Sequence, residues 1–374
     1  MNTITFKCET VTPMFMAGAD GKKPELRAPS IKGVLRFWWR AINENLKLED
    51  LRKREAAIFG GSGKDQGRSK VIIQVKKINY HEKDNLWGEI PVKQNKNGKN
   101  YNEPEDEYKG ISYLYYSVFM LNENQRRYID VSSTFNISFS SNNVDLLIEG
   151  LKAFLFMVYF GALGAKSRRG AGAFRVIAIE SDCKNETDML RNLLDLFDTK
   201  KILTLLDLKK RIETILAYLP SSSCDDYSVL QKENIYLFPP KNDWKDALKR
   251  IADPFYYFRS KKEIQSDYLR TPNFGFPIIH KKPKVTLKAR NQKKHNEIIN
   301  RRASPLIFKL IKTGDSLYFP VIIRLNGKLI PNGYEIYTQP HNKNQVQIRT
   351  SMPDSTIIEE FLNFTLQNRE VIIL

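Results

Sequence analysis

Residues 3 to 11 of the opening stretch NTITFKCETVTP alternate between apolar and polar, the period-two pattern of a half-buried strand. After a loop, MAGADGKKPELRAP, the period changes. At about 100° per residue, Ile31, Val34, Leu35, Trp38, Ile42 and Leu46 fall on one side of a helix, with Ser30 placed to cap it at Ile31. KVIIQVKKI (70 to 78) reads as a strand, and residues 92 to 107 as a polar, turn-rich insertion. ISYLYYSVFM and STFNISFS read as two more strands, NVDLLIEGLKAFLFMVYFGAL as a helix, and GAFRVIAIE (172 to 180) as a closing strand.

Without insertions, the order is strand, helix, strands, helix, strand, the ferredoxin-like plan of one sheet covered by two helices. Residues 184 to 217 are strongly helical. A second mixed unit follows, with strands NIYLFPP, KVTLKA, SPLIFKLIK and LYFPVIIRL, a helix through DWKDALKRIADPFYYF and another at DSTIIEEFLNFTL. The expected class is α+β: tandem ferredoxin-like domains over 1–182 and 183–374, with a helical insertion between them.

The first helix has a second side, where Lys32, Arg36, Arg40 and Asn43 gather, with Trp39 at the border. Cations at i, i+4 and i+8 repel one another unless an anion neutralises them. An external polyanion would do this; the structural alternative is a solvated basic face with Trp39 covering a domain contact. A second concentration lies in GALGAKSRRGAGAF (161 to 174), where four glycines permit close backbone approach beside Lys166, Ser167, Arg168 and Arg169. Backbone N–H groups, a hydroxyl and guanidinium forks could grip a phosphate chain there. Neither this loop nor FGGSGKDQG (59 to 67) has the GxxxxGK[ST] spacing of a nucleotide-binding P-loop.

Composition strengthens the case for a polyanion. Lys and Arg number 60 against 42 Asp and Glu, a net charge of +18. Hydrophobic residues at 41% and aromatics at 11% support real cores. Cys8, Cys183 and Cys224 are far apart and form no CxxC pair, which speaks against a zinc site or disulfide framework. The N-terminus shows no signal-peptide core, and the most apolar run is short of a membrane span. A soluble, cytoplasmic protein without a cofactor is the expectation. His81, His280, His295 and His341 have no metal-ligand spacing, SSSCDDY (221 to 227) reads as a linker, and Asp20 in GADG reads as a turn former.

TPMFMAGADGKKPELRAPSIKGVLRFWWRA, followed by FGALGAKSRRGAGAF, resembles the RAMP-superfamily first subunits of Cmr complexes, the type III-B CRISPR RNA-guided effectors. FGFPI and RRASPLIFKLI, with YFPVII, extend the resemblance over 275 to 323. It implies RRM-related folds and a glycine-rich loop before the last strand of the first unit. It also implies a place near the 3′ end of the guide RNA, beside other RAMP subunits. Target cutting in such complexes is ascribed to another subunit, so an RNA-binding, non-catalytic role is expected here. The RNP motif of RRM sheets is absent. RNA contacts, to guide (CRISPR) RNA or target single-stranded RNA, are therefore expected at Lys32, Arg36, Trp39, Arg40, Lys166, Ser167, Arg168, Arg169, Arg301 and Arg302. Helix and loop cations are expected to share one groove, and the basic run 281 to 302 to form either a mobile arm that orders on RNA or a neighbouring subunit or a solvated hairpin. The alternative is a metal-independent ribonuclease of the same superfamily that processes CRISPR repeat RNA, with Lys or Tyr as proton-transfer groups.

Overall fold

The protein is described by a computed structural model covering residues 1–374 except 22, 44, 64–65, 87, 95–99, 120–125, 185, 221–226, 282–283, 315, 342–348, 351–355 and 368. The linker residues 221–226, with Cys224, therefore lie outside the described residues, as does the centre of the polar insertion.

The fold is mixed α and β with antiparallel sheets. The first sheet contains β1 (Asn2–Thr10), β2 (Ile72–Asn79), β3 (Thr134–Ser141) and β4 (Phe174–Asp182), in the order β2-β3-β1-β4. Alternation along β1 puts Ile4, Phe6 and Cys8 on the buried face. Phe6 lies opposite Ile137 and Ile179, and its ring is 4.8 Å from that of Phe154. Phe154 belongs to α5 (Val144–Phe160), which Asn143 caps by accepting from the Leu146 N–H at 2.9 Å. Helices α1 (Ala28–Ala41) and α2 (Leu48–Phe59) precede β2. Ser30 does not cap α1: the helix begins at Ala28, and Pro29, with its φ already fixed, occupies the first turn.

The expected strand ISYLYYSVFM is helical instead. Residues Lys109–Leu114 form α3 and Tyr116–Phe119 form the single turn α4. Its aromatic residues suit a strand locally, but packing decides the outcome. Ile111, Leu114 and Tyr115 are buried in one apolar cluster with Leu248, Ile251 and Phe255 of α8 (Trp244–Ser260). Gly110 makes the contact close, since a Cβ there would lie 2.7 Å from the Asp253 backbone nitrogen.

After α6 (Asp188–Asp195) and α7 (Leu205–Leu216), which pack into the first sheet's core, comes a second four-stranded sheet. Its strands are β5 (Val229–Leu237), β6 (Leu306–Thr313), β7 (Leu317–Asn326) and β8 (Ile372–Ile373), in the order β6-β7-β5-β8. In both sheets the strand sequence across the sheet is second, third, first, fourth. In both, a long helix follows the first strand and another (α9, Thr356–Leu366, in the second) precedes the last. All eight residues of β6 are buried. Ile307 and Ile311 face the core shared with the first sheet, whereas Phe308 and Leu310 face α8 and α9. Covering on both sides explains the near-continuous apolar run LIFKLIKT.

KVTLKA belongs to neither four-stranded sheet. Residues Lys284–Asn291 pair with Ile278–Lys281, Ile298–Ile299 and Tyr334–Pro340 in a separate sheet. The expected basic arm is thus largely built into a sheet, with Arg290 paired to Glu335 at 2.9 Å; its residues 282–283 lie outside the described set.

Candidate nucleic-acid interface

The two cationic clusters of the sequence have different fates. On α1, Arg40 Nη1 makes contacts of 2.8 Å to both carboxylate oxygens of Glu55, from α2. Arg36 donates to the same carboxylate at 3.0 Å and to the Phe59 carbonyl at 2.9 Å. Glu55 is 8% exposed. The anion that the row of cations requires is therefore internal. Half-buried Lys32 has no carboxylate partner among the described residues, and burial followed by the charge of Arg36 holds its pKa below the usual lysine range.

Trp39 is a correction as well. It is 1% exposed, and its indole N–H donates to Glu149 at 3.2 Å. No ring face is left for a base, so both neighbouring indoles are core. The border position on the helix meets α5, which the helical period alone does not reveal.

The glycine-rich loop runs from α5 to β4. Its glycines serve close approach within the protein. Gly172, at φ +69°, could not carry a Cβ, which would fall 1.8 Å from the Leu163 carbonyl oxygen. Several loop N–H groups are engaged internally, with Ala165 donating to Phe15 O at 2.7 Å and Gly172 to Pro13 O at 2.9 Å. Lys166 itself takes a left-handed φ of +61°, and its carbonyl accepts from the Arg169 N–H at 2.7 Å.

The loop is joined to the second half of the chain. Phe308 N–H donates to the Arg168 carbonyl at 3.1 Å. The Arg168 guanidinium donates to the Ser304 carbonyl and lies 4.9 Å from the Phe37 ring centroid. Arg169 donates to the Phe274 carbonyl at 3.2 Å and lies over the rings of Phe255 and Phe308. Gly275, at φ +99°, brings FGF against RRAS: a Cβ there would sit 2.8 Å from the Ser304 nitrogen. Phe276 and Arg302 then exchange backbone hydrogen bonds of 2.9 and 2.8 Å.

Together these segments enclose an open cavity of about 700 Å³. Lys166, Arg168, Arg169, Arg259, Arg301 and Arg302 line it, Ser167 is at its wall, and among the described residues no Asp or Glu lines it. Burial first, then Arg169 and Arg301, push the Lys166 pKa down to about 8. Burial lowers both Arg168 and Arg169 to about 10. Nη1 of Arg169 and of Arg259 is buried without a hydrogen-bond partner. Arg302 is held by Ser228 Oγ at 3.0 Å and Lys328 O at 3.1 Å, whereas Arg301 is exposed.

The α1 cations do not join this cavity. Lys32 and Arg36 line a separate depression of about 610 Å³ with Gly60, Ser62 and Arg68. The expected single groove is two sites. Arg259, Tyr113 and Tyr116, all lining the loop cavity, were not among the expected site residues; the tyrosine-rich runs YLYY (113–116) and FYYFR (255–259) were the available signal. Asp20 accepts from the Lys23 N–H at 3.2 Å, the contact of a turn former. Among the described residues no cluster of three His, Cys, Asp or Glu could hold a metal, and no helix is long and apolar enough to cross a membrane.

A family profile described as the RAMP superfamily matches residues 7–175. The CRISPR system Cmr subunit Cmr1-2 of Pyrococcus furiosus is 30% identical over 190 residues, which span 46% of this chain and 93% of that protein. Cmr1-1 of the same organism is 24% identical over 327 residues, 85% of this chain and 86% of its own length. The chain belongs to the RAMP superfamily and, within it, to the family of the Cmr1 subunits. The crystal structure of apo Cmr1 from Pyrococcus furiosus superposes over 100% of this chain and 98% of that one, with a TM-score of 0.60 at 18% identity. A chain in the cryo-EM structure of the type III-B Cmr-beta bound to cognate target RNA superposes over 98% of this chain and 100% of that one. Its TM-score is 0.56, at 13% identity. These likenesses carry the fold.

Proposed function

We propose that the chain is a non-catalytic, RNA-binding subunit of a cytoplasmic type III-B CRISPR effector. It would sit near the guide RNA 3′ end beside other RAMP subunits and help hold guide and target RNA for antiviral defence. In this reading residues 1–182 and 183–374 are tandem ferredoxin-like RAMP units, the second preceded by its helical segment, and the loop cavity lies where they meet. The observation that carries the proposal is the cavity's charge: among the described residues, six cations line it and no carboxylate does. Buried, mutually repelling cations favour an anionic ligand, and a chain of phosphates supplies several charges in a row. Lys166, Arg168, Arg169, Arg301 and Arg302 would take the sugar–phosphate backbone, with Ser167 donating from the wall. The relatives are named as Cmr subunits, and one structural neighbour is a chain of a complex bound to cognate target RNA, which supports the same assignment.

The test is titration of single-stranded RNA at increasing salt. Each phosphate contact contributes a slope of roughly −0.7 in log K against log salt. A steep slope with weak sequence preference is expected; a flat response rejects the phosphate cavity.

One observation favours the ribonuclease alternative: Lys166, brought to about 8, can exchange a proton near neutral pH. Incubation with CRISPR repeat RNA in chelator separates the two. Cleavage lost in Lys166→Gln would establish the nuclease, and intact RNA supports binding alone.

A further inference from the structure

A file of aromatic rings leads out of the loop cavity. Phe255, in its wall, has its ring 5.8 Å from that of Tyr113, also a lining residue. Tyr113 lies 5.8 Å from Tyr256, and Tyr256 lies 5.3 Å from Tyr257. Tyr257 and the lining residue Tyr116 are each 57% exposed. One exposed ring in the cavity wall and another at the end of a continuous file need a reason, whereas scattered single exposed apolar residues do not. Arg259 ties the file to the cationic cavity, since its Nε donates to the Tyr113 hydroxyl at 3.3 Å. The file is held firmly: α3, which carries Tyr113, and α8, which carries Phe255, Tyr256 and Tyr257, touch through Gly110 and Asp253, a contact too close for any other side chain at Gly110, and Tyr116 follows on α4.

We propose that Tyr113, Tyr116, Tyr256 and Tyr257 form a stacking platform for unpaired bases of the single-stranded RNA whose phosphates enter the cavity. The proposal rests on the phosphate reading above and adds the base-contacting side. The charge of the adjoining cavity decides the occupant. A protein partner would have to meet six cations with its own acidic groups beside an aromatic surface, whereas single-stranded RNA presents phosphates and ring faces at alternating positions along one chain. Stacking of this kind tolerates any base, in keeping with weak sequence preference. None of these tyrosines lies on a sheet, which fits the absence of an RNP motif.

The experiment compares the full chain's affinity for a short single-stranded RNA with its affinity for an abasic ribose–phosphate chain of equal length. Wild type is expected to prefer the base-bearing chain. Tyr116→Ala and Tyr257→Ala should each weaken RNA binding by roughly tenfold, leave the abasic chain unaffected, and recover with Phe. Both residues are exposed, so melting temperatures should be unchanged. If the alanine variants bind RNA as wild type does while Arg301→Ala weakens both ligands, the platform is wrong and the phosphate reading stands. If Arg301→Ala alters neither affinity, the underlying reading fails and takes the platform with it. If the alanine variants bind RNA normally but release a neighbouring subunit from a reconstituted complex, the rings are a protein contact and the proposal is overturned.

Discussion

Helix α1 and the glycine-rich loop carry similar cations in similar density, yet one cluster is closed and the other is open. On α1, Arg36 and Arg40 converge on the single buried carboxylate of Glu55. In the loop, Lys166, Arg168 and Arg169 meet Arg259, Arg301 and Arg302 across a cavity that no carboxylate of the described residues lines. The difference lies in geometry. Cations one turn apart on a helix point the same way, so one acidic residue on an adjacent helix can neutralise two of them. Cations delivered by separate segments of the chain surround a space, and there backbone carbonyls and aromatic faces hold the guanidiniums without cancelling their charge. Basic clusters in a sequence therefore divide into braces and binding sites according to where their counter-charge resides.

The comparison is broken most severely at the indoles. Trp38→Ala and Trp39→Ala should each cost about 3–5 kcal/mol of stability, as buried aromatics lost to cavities, by urea or thermal denaturation. A Trp39→Ala variant that keeps its stability and loses RNA would move α1 back to the interface. Next comes Glu55→Ala, which leaves two arginines facing each other. Because those arginines are 30% and 38% exposed, the loss should be roughly 2–3 kcal/mol, less than for a fully buried pair. RNA affinity should remain within about twofold, since the change leaves the loop cavity intact.

Arg301→Ala reverses that pattern. The side chain is exposed, so melting should not change. RNA affinity should fall on the order of tenfold for one charge-assisted phosphate contact, and the salt slope should shrink by about 0.7. The smallest effect concerns pH. In the free protein Lys166 titrates at about 8, below its ordinary 10.5, and a bound phosphate would raise that value. Binding then takes up a proton between the two pKa values. Affinity is therefore fully present below pH 8 and declines as pH rises toward the bound-state value. Wild type should lose a few-fold affinity over that window and Lys166→Gln should show no such decline, by anisotropy at constant ionic strength.

Much of the framework was legible because burial on one face leaves a period in the sequence. Alternation marked β1, and the apolar runs STFNISFS, NVDLLIEGLKAFLFMVYFGAL and SPLIFKLIK marked β3, α5 and β6 as strand, helix and strand. The failures share a cause, which is contact with residues distant in the chain. ISYLYYSVFM has strand-like composition and becomes helical only against α8. Trp39 lies at the edge of the helical stripe and is buried by α5. Glu55 stands on a different helix from the arginines it pairs with, so no spacing on α1 could announce it. The cavity was legible in part: the loop cations stood out by density, and Arg301 and Arg302 by resemblance. Tyr113, Tyr116 and Arg259 were hidden, because the segments that carry them, α3 with α4 and α8, are far apart in sequence and are brought together by packing.

The central claim, that RNA occupies the loop cavity and not the face of α1, is tested most directly by cross-linking. Single-stranded RNA carrying photoreactive bases is bound to the full chain, irradiated, and the adducts are mapped by mass spectrometry. Adducts should fall on residues 113–116, 164–169, 255–259, 274–278 and 301–304, with residues 28–41 unmodified. Adducts concentrated on 28–41, with the cavity segments bare, would contradict the account.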